Sequence, residues 1–129
     1  MSRDVTPEGR DALEQTEPSM RYASFIKLVV DREEAFGLWD GDWWMQDDGS
    51  GRRALPLWSS REDAAAYALG VAAECSPREI PLDALVDDLL LRLAAAGVRA
   101  QVAPVPESAP HSTDLAELEA DLRAEMELY

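Results

Sequence analysis

The sequence predicts an α+β fold, one mixed sheet of about five strands packed with about four helices. Three observations carry that prediction. Apolar residues recur at helical spacing in separate stretches, most cleanly from Tyr22 to Val30 and from Leu82 to Leu93. Three short strand-like runs follow one another between Phe36 and Trp58, joined by turns rich in Gly and Asp. Further on, a leucine-rich helix separates two more strand-like runs. The length of 129 residues is that of one domain. That domain is expected over 17–129, behind a polar tail at 1–16 that is mobile or loosely docked.

In the first helix Tyr22, Phe25, Ile26, Val29 and Val30 fall on one face, with Pro18 suited to its first turn. The charged run Asp31-Arg32-Glu33-Glu34 ends the stripe. Phe36–Trp39 and Trp43–Gln46 then form a hairpin on a two-residue turn, at Asp40-Gly41 or Gly41-Asp42. A loop at 47–51 leads to a third strand, Arg53–Trp58, which completes an antiparallel meander. Pro56 has no backbone donor, so this strand lies at an edge or pairs irregularly there. Ser59 and Glu62 have the spacing of a capping box, opening a helix whose Ala64, Ala65, Ala68, Leu69 and Ala72 suit close packing.

After a break at Ser76-Pro77 comes a short strand, Glu79–Pro81, then a helix carrying Leu82, Leu85, Val86, Leu89, Leu90 and Leu93. Gly97 is placed to cap that helix, and Val98, Ala100 and Val102 alternate as a strand. The two strands around the leucine helix read as a parallel βαβ unit with a right-handed crossover. Prolines 104, 106 and 110 mark a linker. Ser112 or Thr113 then caps a last helix, acidic outside, with Leu115, Leu118, Leu122 and Met126 facing in.

Charge narrows the range of partners. Twelve basic residues against 26 acidic ones give a formal charge of −14. Such a surface repels nucleic acid and anionic membranes, and it suits a basic protein partner. The single cysteine, Cys75, allows no internal disulfide, and no stretch reads as a signal peptide or membrane span. A cytoplasmic protein, monomer or homodimer, is the resulting expectation.

Arg21-Tyr22-Ala23-Ser24-Phe25-Ile26-Lys27, then Gly37-Leu38-Trp39-Asp40, Asp42-Trp43, Leu55-Pro56-Leu57-Trp58, Ser60-Arg61-Glu62-Asp63-Ala64 and Ile80-Pro81-Leu82 occur in this order. Together they resemble the bacterial family called domain of unknown function 2750, from about Arg21 to the C-terminus. The Pro-aliphatic-Trp strand, the Ala-rich helix and the leucine helix also look like the enhanced serine sensitivity protein B domain. The first resemblance implies a small bacterial protein without an established activity, and it supplies no catalytic residue. Where that family has an aromatic residue before the strand's proline, this chain has Leu55.

Residue types give little support to catalysis. The one histidine, His111, lies in the linker and reads as an exposed or capping residue. Cys75 has only Arg78 nearby to lower its pKa and reads as a structural thiol. One His and one Cys cannot build a structural zinc site. Asp40, Asp42, Asp47 and Asp48 cluster on the hairpin loops, but lack the alternate ligands and closing glutamate of a calcium loop. Gly49-Ser50-Gly51 lacks the Lys-Ser/Thr of a phosphate loop. No catalytic, cofactor or metal residue is therefore assigned.

The tryptophan hairpin carries the remaining signal. A two-residue turn puts Phe36, Leu38, Trp43 and Met45 on one side, as core. Trp39, Trp44 and Gln46 share the other, edged by Asp40 and Asp42. Those five form the candidate interface if the sheet is covered on one face only; if helices cover both faces, the two rings are core. The leading expectation is a non-catalytic protein-binding module, regulatory or immunity-like. The alternative is a small-molecule-binding or enzymatic domain that uses the same tryptophans and neighbouring carboxylates.

Overall fold

Residues 18–105 and 111–128 are described in the computed structural model; the expected tail at 1–16 and most of the proline linker lie outside them. Among the described residues the chain is an α+β domain of four helices and a mixed set of six strands.

Helix α1 (Pro18–Arg32) buries Phe25, Ile26, Val29 and Val30, as its periodicity predicts. It stops at Glu33, which adopts φ 62° and accepts a hydrogen bond from the Leu82 amide at 2.9 Å. Strands β1 (Glu34–Trp39), β2 (Gln46–Asp47) and β3 (Arg53–Leu57) come next. Helix α2 (Arg61–Val71) is capped by Ser60, whose hydroxyl accepts from the Asp63 amide at 3.1 Å. The cap is thus one residue later than the Ser59–Glu62 spacing suggests, because Ser60 is the residue in extended conformation. Of the expected face Ala64, Ala68 and Ala72 are buried, Tyr67 joins them, and Leu69 is exposed.

Strand β4 is Ser76–Pro81. The leucine helix, α3, runs through Leu82–Ala84, a π-helical turn Leu85–Leu89 and Leu90–Ala95. Its end is a Schellman motif: Gly97 at φ 80° donates to Ala94, and Val98 donates to Leu93, both at 3.0 Å. Strand β5 (Arg99–Val102), strand β6 (His111–Asp114) and helix α4 (Leu115–Met126) complete the domain. Ser112 and Thr113 belong to β6, so the helix begins at Asp114 without a side-chain cap bond.

Strand pairing departs from the meander and from the βαβ unit. β1 pairs antiparallel with β4, while β2, β3, β5 and β6 form a four-stranded sheet in that order. The parallel pair is β3 with β5, so the crossover contains α2, β4 and α3. Burial explains the choice. Ala100, Gln101 and Val102 are all buried, so β5 needs a partner that is apolar on both faces. Ala54, Leu55, Pro56 and Leu57 meet that need, whereas Ser76-Pro77-Arg78-Glu79-Ile80-Pro81 suits an edge.

The two sheets join where Phe36 and Trp58 exchange backbone hydrogen bonds of 2.8 and 2.9 Å. Pro56 lies two residues before Trp58, on the side where β2 has ended and β1 has not begun. Its missing donor therefore removes no ladder bond, and β3 sits inside the sheet. One apolar core fills the space below, from Phe25 and Val29 of α1 through Leu55 and Leu57 to Leu118 and Leu122 of α4.

Candidate functional site

Alternation along β1 and β4 sets out the site. Ala35, Gly37 and Trp39 share one face with their cross-strand partners Ile80, Arg78 and Ser76. Phe36 and Leu38 point the other way and are buried, with the Arg61 guanidinium 5.1 Å above the Phe36 ring.

Trp39 and Trp43 form a cross-strand bridge, so the turn between them has three residues, Asp40-Gly41-Asp42. Gly41 adopts φ 81°, and the Asp40 amide donates to the Asp42 carbonyl at 3.1 Å. The Asp42 side chain accepts from the Trp43 amide at 2.8 Å. One extra turn residue shifts the register by one and turns the returning segment over, exchanging its two faces. Trp43 accordingly lies with Trp39 and Gly37, and does not join Phe36 and Leu38 as a two-residue turn requires.

Trp43 covers Gly37 so closely that a Cβ there would lie 3.0 Å from its Cε3 and Cζ3 atoms. Gly37→Ala is expected to push the half-buried Trp43 ring outward and destabilise the domain by about 1 kcal/mol. Urea unfolding followed by tryptophan emission checks both effects; an unchanged midpoint and spectrum would contradict this packing. Trp39 meets Trp43 edge-on, with centroids 4.9 Å apart at 80°. On its ring sits Arg78, the guanidinium carbon 4.1 Å from the centroid. Trp39 is half-buried and Arg78 exposed, so the arrangement is a braced aromatic ledge at the surface.

The five residues singled out in the sequence divide. Trp39, Asp40 and Asp42 lie together on the ledge and its loop, and both carboxylates are exposed. Trp44 turns toward α2, 6.4 Å from the Tyr67 ring, and packs against the core. Gln46 also turns inward: its amide donates to Tyr67 Oη at 3.0 Å and to Gln101 Oε1 at 2.5 Å. Residues with no sequence signal join the site instead. Arg78 reaches Trp39 only through the β1–β4 pairing, a contact between segments far apart in the chain.

The other polar residues have local tasks. Asp47 accepts from the Gly49 amide at 2.7 Å, and Asp48 accepts from the Ser50 amide and hydroxyl at 2.9 and 2.6 Å. The Ser50 bonds, with help from Arg52 and Arg99, hold the Asp48 carboxyl down at about 2. These aspartates organise the loop before β3 and lie apart from Asp40 in role. His111 is half-buried in β6, stacked on Tyr22 at 4.4 Å, where the sequence suggests an exposed linker residue. Burial lowers its pKa, against the pull of Glu117 and with a smaller push from Arg21. Tyr22 donates to Asp121, and burial, that bond and the acids around it raise the phenol well above its usual range. Cys75 is buried, and desolvation, then the charges of Glu74 and Asp40, push its thiol up. The concave surfaces at Val30 and Leu82, at Ala65 and Pro77, and at Phe36 and Ser60 have neither Trp39 nor Trp44 in their linings.

The fold and the ledge define a small acidic α+β domain with a tryptophan presented at the junction of an edge strand pair. The chain belongs to the family described as protein of unknown function (DUF2750), whose model matches residues 22–122. Neither the curated proteins nor the solved structures give a match.

Proposed function

We propose that the chain is a non-catalytic protein-binding module that takes a basic partner on Trp39. The observation that carries this reading is the ledge itself. Trp39 is held between Arg78 and Trp43, half-open to solvent, with exposed Asp40 and Asp42 on the adjoining loop. A ring already fixed in place loses little freedom on binding, which is how a single aromatic anchor gives useful affinity. The formal charge of −14 favours lysine- or arginine-rich surfaces and disfavours nucleic acid and anionic membranes. Among the described residues no helix is long and apolar enough to cross a membrane. One free thiol suits a cytoplasmic setting.

A non-enzymatic role draws support from the two nucleophile candidates. The Cys75 thiol is pushed away from thiolate, and His111 is packed on Tyr22. Trp39 and Trp44 serve different neighbours, which favours an interface over a slot shared by both rings.

Trp39→Ala is expected to weaken partner capture about 30-fold, the effect of losing about 2 kcal/mol at a hot spot. The test is a pull-down from native cells with the wild type and the variant, then titration of the captured protein. Circular dichroism checks that the half-buried site leaves the fold intact. Capture that is equal for both proteins, or insensitive to salt, sinks the reading.

A further inference from the structure

We propose that Asp40, Glu74 and Cys75 form a binding site for a thiophilic divalent cation of the zinc class. Trp39 pairs in register with Ser76, and this brings the loop after β1 against the turn before β4. One carboxylate oxygen of Asp40, one of Glu74 and the Cys75 sulfur all lie within 4.8 Å of one another. Zinc ligands sit at about 2.0–2.3 Å from the metal, so two of them are separated by about 3.5 Å around a tetrahedral ion. Small rotations of the two exposed carboxylates close that difference.

Two further observations point to a cation. Cys75 is only 8% exposed, and its thiol, aimed at the two carboxylates, has no hydrogen-bond partner among the described residues. Neither Asp40 nor Glu74 takes part in an ion pair among the described residues, although like charges meet there. A divalent ion would neutralise both acids and use the sulfur, the thiol proton passing to solvent as the sulfur–metal bond forms. Sulfur selects a soft or borderline metal over magnesium or calcium. Three protein donors leave the fourth position to water, as in an open zinc site. The sequence count of one His and one Cys rules out only a closed Cys/His set, and here Glu74 beside the cysteine and Asp40 from another segment complete the donors.

The site shares Asp40 with the Trp39 ledge, while Glu74 and Cys75 belong to the turn before β4. Calorimetric titration of the reduced full chain with zinc chloride tests it. One ion per chain is expected, with at least tenfold weaker binding in Glu74→Gln and in Cys75→Ser. Zinc is also expected to slow alkylation of Cys75 at least tenfold, a readout that stands if Cys75→Ser fails to fold. An Asp87→Asn/Asp88→Asn control is expected to bind zinc like the wild type. No stoichiometric binding, binding untouched by Glu74→Gln, or no protection of the thiol would each overturn the proposal. Glu74→Gln should leave partner capture unchanged, which separates this result from the Trp39 test.

Discussion

Trp58→Ala is expected to destabilise the domain by about 4 kcal/mol, in the range for emptying a buried aromatic site. Trp58 is the bulkiest of the fully buried side chains, at 1% exposure. Its ring lies 5.2 Å from Tyr67, and its indole N–H donates to the Pro104 carbonyl at 3.0 Å. Its backbone exchanges the two hydrogen bonds with Phe36 that tie one sheet to the other. Alanine keeps those backbone bonds but leaves a cavity and an unsatisfied buried carbonyl. Trp58→Phe fills most of the space and fails only the carbonyl, so its cost should be smaller, about 1–3 kcal/mol. Urea unfolding at equilibrium orders the three proteins; an alanine variant within about 1 kcal/mol of the wild type would contradict the burial of this ring.

The second large effect is non-additive. Gln101 is 2% exposed, and its Oε1 accepts from the Gln46 amide, which also reaches Tyr67. Gln46→Leu removes the donor and strands a buried acceptor, for an expected loss of about 2 kcal/mol. Gln101→Leu orphans the other end, with Tyr67 still present to take part of the loss. The double variant removes both partners and should lie closer to the wild type than the two single losses predict. A coupling energy near zero would return Gln46 to the surface role that alternation alone gives it.

That pair shows where the sequence is legible and where it is not. The helical stripes of α1, α3 and α4 and the Gly97 cap come from local spacing, and all are found. So does the oddity at Pro56, which can be read from one missing donor. Pairing partners depend on which strands are apolar on both faces, a comparison between distant segments that local patterns do not make. Val98, Ala100 and Val102 reveal one buried face of β5; the burial of Gln101 on the other is visible only with Gln46 and Tyr67 in place. In the candidate site a single turn residue decides the outcome. Asp40-Gly41-Asp42 supports a two- or three-residue turn, and the choice moves Trp43 to the face of Trp39 and Gly37, where it still packs against the core edge. Arg78 and Glu74 carry no signal of their own, since only the β1–β4 register brings them to Trp39 and Asp40.

β4 has one open side, and its composition decides what that side can do. Phe36 spends its backbone groups on Trp58, so the opposed Glu79 turns its own groups away from β1, as do Pro77 and Pro81 at alternate positions. Two of those three residues have no N–H to offer. An incoming strand would find a single donor, at Glu79, in a stretch that already carries a negative charge. Antiparallel growth by strand addition, the usual first step toward fibrils and swapped dimers, is therefore blocked at this margin. The aromatic ledge of this chain thus stands beside an edge strand that is a poor nucleus for aggregation.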